Sequence, residues 1–208
     1  MNEVQVKDTC SLIPRLVHTP RSARPLIGRD LVLVALGANV AGAMGTPRQT
    51  LEWVIGALAE HRVYVVAQSR LYVSRAVGLG GAPDFLNAVA AIDTSLSPAM
   101  LLRLFKALER RAGRRFCRAS GPRPLDLDII DYRGWVLGRP HRRRIRGSLI
   151  LPHPEAANRR FVLEPLAEVA PHWRHPRTGQ AVGQRLTRLL RAPRSLRPAL
   201  DFVPDPCQ

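Results

Sequence analysis

The sequence predicts an α/β (α+β) fold with a β-α-β-β-α-β core and extra C-terminal elements, and three observations carry that prediction. Apolar runs at residues 31–36, 85–92 and 125–131 have the length and composition of strands. Leu51, Val54, Ile55 and Leu58, and again Leu101, Leu104, Phe105 and Leu108, recur at the spacing of one helix face. Turn-forming residues separate these segments in the order of the split βαβ, or ferredoxin-like, arrangement.

Taken in order, Leu31–Leu36 is apolar without interruption and suits a central strand buried on both faces. Gly37-Ala-Asn39 is expected to turn the chain. Thr46 and Pro47 supply an N-cap and a first-turn residue for the first helix. Val63 to Val73 alternates loosely and predicts one long strand at a sheet edge, and Gly78 to Pro83 predicts a mobile loop. Phe85 to Ile92 is the third strand; Ser97-Pro98 opens the second helix, which stops near Gly113. Leu125 to Asp131 is the fourth. Beyond it, Trp135 to Leu137 predicts a short extra strand, Ala156 to Val169 one or two helical turns on either side of Pro165, and Val182 to Arg191 a terminal helix. The later elements either cover the second face of the sheet or leave it open for binding.

With 208 residues the chain fits one domain with extensions. Residues 1–29, with Pro14, Pro20 and Pro25, read as an irregular extension, 30–180 as the folded domain, and 181–208 as a helix and tail. The formal charge of +16 points to a phosphorylated small molecule or a polyanion as partner, and does not separate ATP from RNA. No apolar run reaches the eighteen or so residues of a membrane span. Glu3, Asp8 and the prolines argue against an organellar leader, and Cys10, Cys117 and Cys207 stand far apart in no metal-ligand pattern. A cytoplasmic protein without membrane contact is expected.

The chemistry concentrates in Gly113 to Ile130, where Arg114, Arg118 and Arg123 precede Asp126 and Asp128. On a strand the two carboxylates share a face, about 6.6 Å apart at Cα, while Leu125, Leu127 and Ile129 face the core. Mg2+ sites often use one or two protein carboxylates plus substrate phosphates, and arginines offer fixed forks for phosphate oxygens. Alone, the pattern also fits a solvent-facing strand beside a solvated basic run, or nucleic-acid contact.

Leu36-Gly-Ala-Asn39, Phe85-Leu-Asn87, Gly121-Pro-Arg-Pro-Leu-Asp-Leu-Asp128, Leu151-Pro-His153 and Asn158-Arg-Arg-Phe161 occur in this order, and together they resemble the 6-hydroxymethyl-7,8-dihydropterin pyrophosphokinase family. The resemblance covers residues 31 to 180 and implies a ferredoxin-like pyrophosphokinase domain over 30–180 that moves pyrophosphate from ATP to a pterin alcohol in folate biosynthesis, releasing AMP. It implies that Asp126 and Asp128 bind two Mg2+ ions bridging the ATP phosphates, that Arg114 and Arg123 are catalytic, and that Glu109, Arg114, Arg123, His153 and Arg159 serve ATP. It further implies that Phe85 and Phe161 sandwich the reduced pterin, that Asn87 reads its polar edge with amide donor and acceptor, and that Ser74 and Val77 border the pocket. A monomer or weak dimer is expected.

Departures from the family pattern fall at the lids. Ser120 stands where a tryptophan is frequent, Pro154 where a tyrosine is, Lys106 where some members have glutamine, and the loop before Gly121 is one residue shorter than in a bacterial form. RNA-recognition modules share the element order, but their aromatic RNP1 segment is absent, so no nucleic-acid partner is expected. A silent interaction module would not need the acid pair, Arg123 and His153 together. No G-x-x-x-x-G-K-[ST] loop exists.

Overall fold

A run of side chains buried on both sides puts β1 (Val32–Ala38) in the middle of an antiparallel sheet. The computed structural model describes residues 31–74, 83–114, 121–138 and 149–191. In chain order β1 is followed by α1 (Pro47–Glu60), β2 (Val63–Gln68), β3 (Tyr72–Ser74), β4 (Phe85–Thr94), α2 (Pro98–Arg111), β5 (Asp126–Tyr132), a 3-10 turn at Ala156–Asn158, α3 (Arg160–Val169) and α4 (Val182–Arg191). The sheet order β2-β4-β1-β5, with β3 also on β4, is the ferredoxin-like arrangement that the element order predicts. Val77, Arg118, Ser120, residues 78–82, the His141–Arg144 run, the 1–29 extension, the cysteines and the tail after Arg191 lie outside the described residues.

Strand alternation sorts the core into two layers. Val32, Val34, Leu36, Ala88, Ala90, Ile92, Leu127 and Ile129 face α1 and α2, where Leu51, Val54, Leu58, Leu101, Phe105 and Leu108 close over them. Leu33, Val89, Ala91 and Ile130 face the other way, against Val162, Leu163 and Leu166 of α3, with Trp173 and Val182 beside them. Later elements therefore cover part of the second face. Each fully buried side chain of this size contributes about 1.5–3 kcal/mol.

The helix starts follow the local chemistry. Thr46 Oγ1 accepts from the Gln49 N–H and Gln49 Oε1 accepts from the Thr46 N–H, a reciprocal cap worth about 1 kcal/mol. Ser97 caps α2 one way, its Oγ accepting from the Met100 N–H at 3.4 Å, and Gly113 at φ +97° ends it. Gly42 is wedged where a Cβ would lie 2.3 Å from the Ala112 carbonyl oxygen and 2.5 Å from Pro124 Cβ, so no side chain fits. The loop after β1 is thereby clamped between the end of α2 and the entry to β5.

Three expectations need correction. The single strand Val63–Val73 divides into β2 and β3, because Ser69 turns its hydroxyl into the ladder: Ser69 Oγ accepts from the Val89 N–H at 3.0 Å and donates to the Arg70 carbonyl at 2.8 Å. Gly37 and Ala38 do not turn; they extend β1, paired with Asn87 and Leu86. Trp135–Leu137 forms no strand, since Arg133 and Gly134 adopt positive φ and only Leu137 bridges, to Leu151. The helical turns expected on either side of Pro165 form one helix, α3, whose geometry the fixed φ of Pro165 suits at the loss of one backbone bond.

Asp131 anchors the outer layer. Its carboxylate is 3% exposed and accepts from Trp173 Nε1–H at 2.6 Å and the Gly134 N–H at 2.7 Å. Burial, opposed by these two hydrogen bonds, raises its pKa above the ordinary aspartate value of 3.8. The folded state then holds the proton more tightly than the unfolded chain, so this contribution to stability is full below 3.8 and is lost as pH rises through the folded value. Urea unfolding from acid to neutral pH should show wild type losing ground to Asp131→Asn as pH rises; parallel curves would contradict the sign.

Candidate active site

The second face of the sheet is polar at one end, and register explains which residues meet there. Asn87 on β4 pairs with Gly37 on β1, and Gly37 pairs with Asp126 on β5, so the three lie in one row across adjacent strands. Neighbouring strands are about 4.8 Å apart, which separates Asn87 and Asp126 by roughly 10 Å. The next row runs Val89, Ala35 and Asp128. A Cβ on Gly37 would lie 3.5 Å from Asn87 Oδ1 and 3.9 Å from both Phe85 Cδ1 and Asp126 Cβ. Glycine thus forms a shallow floor between the aromatic ring and the acid.

Asp126 is held from both sides. Arg114 Nη1 reaches Oδ1 at 2.6 Å and Arg123 Nη1 reaches Oδ2 at 2.5 Å. Burial works against its charge, but the Arg123 and Arg114 guanidiniums overcome it and hold the carboxyl below its ordinary pKa, as the expected ionised state requires. For Arg114, burial is likewise outweighed by Asp126 and Glu109, which raise its pKa.

Glu109, which the family resemblance places with ATP, is 2% exposed and contacts Arg114. Its carboxylate accepts from Arg114 Nη1 at 2.8 Å, Lys106 Nζ at 2.7 Å and the Leu127 N–H at 2.9 Å. Burial pushes its pKa up while Lys106, the Leu127 N–H and Arg114 pull it down. Buried and engaged by three donors, Glu109 orients the Arg114 guanidinium toward Asp126.

Asp128, whose side chain is 36% exposed, lies 4.0 Å from His153 Nε2. His153 Nδ1 accepts from the backbone N–H groups of Glu155 and Ala156, both at 3.2 Å, which leaves the proton on Nε2, toward Asp128. The His153 N–H donates to the Ile130 carbonyl at 2.9 Å and fixes this residue against β5. Arg159 meets Glu155 at 4.0 Å and the Phe161 ring at 5.8 Å. Phe161 opens α3 on the same side of the sheet as Phe85 and Asn87.

The amide of Asn87 is oriented. Its Nδ2 donates to Ser74 Oγ at 2.9 Å, the Phe85 carbonyl at 3.1 Å and the Tyr72 carbonyl at 3.3 Å. Oδ1 is then the acceptor atom presented over Gly37, while the Nδ2 donors of the pair that the resemblance implies are engaged by Ser74, Phe85 and Tyr72. Sequence reasoning assigns no role to Asn39, yet its Oδ1 accepts from the Arg123 N–H at 2.6 Å, its own N–H donates to the Arg123 carbonyl at 3.0 Å, and its Nδ2 donates to the Pro83 carbonyl at 3.1 Å. A polar residue closing an apolar strand was the signal for that brace. Lys106 carried no signal beyond its departure from the family pattern.

The acid pair fits a hard divalent cation held partly by ligand phosphates: both carboxylates lie on one face, two residues apart, with the Asp128 side chain partly open to solvent. No cluster of three or more His, Cys, Asp or Glu side chains suited to a metal occurs among the described residues. No helix among them is long and apolar enough to cross a membrane.

A ferredoxin-like sheet with two carboxylates on one face, Asp126 clasped by arginines and Asp128 beside His153, defines the chain as an α/β protein equipped to handle phosphates. It belongs to the family of 7,8-dihydro-6-hydroxymethylpterin-pyrophosphokinases (HPPK), whose profile matches residues 33–171. It is 37% identical over 156 residues to the 2-amino-4-hydroxy-6-hydroxymethyldihydropteridine pyrophosphokinase of Synechocystis sp., covering 73% of this chain and 72% of that one. To the Pseudomonas aeruginosa protein of the same name it is 40% identical over 148 residues, covering 70% of this chain and 83% of that one. A crystal structure of HPPK-DHPS in complex with substrates shares the fold at TM-score 0.55 and 12% identity, over 77% of this chain and 43% of the longer one.

Proposed function

We propose that this protein transfers pyrophosphate from ATP to the hydroxymethyl oxygen of 6-hydroxymethyl-7,8-dihydropterin, releasing AMP, as a step of folate biosynthesis. The observation that carries the reading, beside family membership, is the Asn87–Gly37–Asp126 row, which sets a ring-reading amide roughly 10 Å from the acid pair on one open face. That spacing suits a flat heterocycle whose hydroxymethyl arm points toward a bound triphosphate.

Residues 30–180 form the pyrophosphokinase unit in this reading, buttressed by α4 on α3. Asp126 and Asp128 would hold Mg2+, two ions by family resemblance, and bound Mg2+ supplies phosphate neutralisation and alignment. Arg114, Arg123, His153 Nε2–H and Arg159 donate to phosphate oxygens, with Glu109 aiming Arg114 and Asn39 bracing Arg123. Phe85 and Phe161 enclose the pterin, with Ser74 at its border and Asn87 Oδ1 accepting from an N–H on its edge. The acceptor oxygen then attacks the β-phosphorus in line as AMP leaves, so positioning and charge complementarity carry the rate. Loop closure excludes water and limits idle hydrolysis of ATP. We infer a cytoplasmic protein, a monomer or weak dimer, from the same family and the scattered cysteines.

Purified protein incubated with ATP, MgCl2 and the reduced pterin should yield AMP and pterin diphosphate in equal amounts. Formation of ADP, or salt-sensitive RNA binding with no AMP, would defeat the reading.

A further inference from the structure

We propose that Glu168 is a positioning residue for the ring-binding side of the site, setting the orientation of the Asn87 amide and the spacing between the two elements that flank it. This rests on the pyrophosphokinase reading above, which it deepens.

Glu168 lies near the end of α3, seven residues beyond Phe161 and about 10 Å from it along the helix axis. Its carboxylate accepts from the Arg70 backbone N–H at 3.0 Å, Arg70 Nε at 2.9 Å, Arg70 Nη2 at 2.6 Å and the Tyr72 hydroxyl. An isolated pair with an arginine as exposed as Arg70 contributes little to stability. Here the carboxylate also binds backbone and a tyrosine, and it does so at the break in the chain between β2 and β3.

That break is the weak point of the sheet. β3 has three residues and pairs only with the first three of β4. So short an edge strand needs support beyond its own ladder. Glu168 provides it from the covering layer. Burial works against its charge, yet the Arg70 and Tyr72 hydrogen bonds keep its pKa below the ordinary glutamate value, and burial together with the bond to Glu168 pushes the Tyr72 pKa up to about 12.

From β3 the constraint passes to the site. The Tyr72 carbonyl and Ser74 Oγ both accept from Asn87 Nδ2, which is what turns Oδ1 toward Gly37. The same carboxylate belongs to the helix that carries Phe161 in its first turn. Glu168 therefore ties the element carrying one aromatic wall to the strand that aims the polar reader, without touching a ligand itself.

The test uses the full chain and the isosteric Glu168→Gln, with Arg70→Gln as a second variant that keeps the backbone N–H. Calorimetry with the reduced pterin should show affinity down by about tenfold in Glu168→Gln, while a non-hydrolysable ATP analogue binds within about twofold of wild type and kcat at saturation changes less than about threefold. In a Ser74→Ala background the Glu168→Gln effect should shrink, because the two act through one amide. Equal weakening of both ligands alongside a lower Tm, or no change in either, would overturn the assignment and leave a simple surface staple. A wild-type protein that binds no reduced pterin would instead defeat the pyrophosphokinase reading. The Asn87 side-chain amide then decides for Glu168: its hydrogen exchange, followed by NMR, should quicken by about tenfold or more in Glu168→Gln if the assignment holds, and stay unchanged if it does not.

Discussion

Asp126→Ala and Asp128→Ala should each lower turnover by about a hundredfold to a thousandfold or more, since in the proposed reading each removes a carboxylate that would hold Mg2+ against the reacting phosphates. Their effects on stability should divide. Asp126 is pinched between Arg114 and Arg123, at 2.6 and 2.5 Å, and deleting it leaves two guanidiniums crowded together on a surface only a fifth to a quarter exposed. A cost of about 1–3 kcal/mol follows, after allowance for that exposure. Asp128 is 36% exposed and has His153 at 4.0 Å, so its loss should change stability by less than about 0.5 kcal/mol. Denaturant titration beside an AMP-release assay reads both quantities. Turnover surviving in the Asp128 variant would remove it from the metal site, and an unchanged midpoint for Asp126→Ala would show that the arginine clasp is not energetically real.

The second large effect is expected at Gly37. A methyl there meets its neighbours at 3.5–3.9 Å, ordinary contact distances, so Gly37→Ala should fold and bind nearly normally. Valine adds two further carbons directly between Phe85, Asn87 Oδ1 and Asp126. The strand tolerates a β-branched residue, so the chain folds, but the floor of the ring site is filled. Reduced-pterin affinity should fall about a hundredfold or more, or about 2.7 kcal/mol, with a smaller loss for an ATP analogue. Equal loss of both ligands, or normal pterin binding, would move the ring away from this row.

Much of this was legible in residue order. Helical spacing and caps located α1 and α2, and the alternation of Leu125, Leu127 and Ile129 with Asp126 and Asp128 placed the carboxylates on one face and the leucines in the core. What the pattern could not convey was long-range pairing. Ser69 looks like any strand serine until its hydroxyl replaces a ladder bond to Val89, and that substitution divides the predicted strand. Glu109 reads as a solvated helix residue because its partners Arg114 and Leu127 come from another segment of chain. Gly37 resembles the start of a turn, and only the register with Asn87 and Asp126 shows that the missing side chain is what matters. Asn39 and Glu168 belong to the same class: each acts through partners that lie 44 to 98 residues away in sequence.

Arg114 and Arg123 stand on either side of residues 115–120 and close on the same carboxylate, while Gly42 is gripped by Ala112 and Pro124 just beneath. The two ends of that segment are thus pinned together before any substrate arrives. Lengthening or trimming the span between them changes closure entropy only slightly, about 0.6 kcal/mol for each doubling. The number of residues in the span can therefore change at little entropic cost while the ion pairs at its two ends stay as they are.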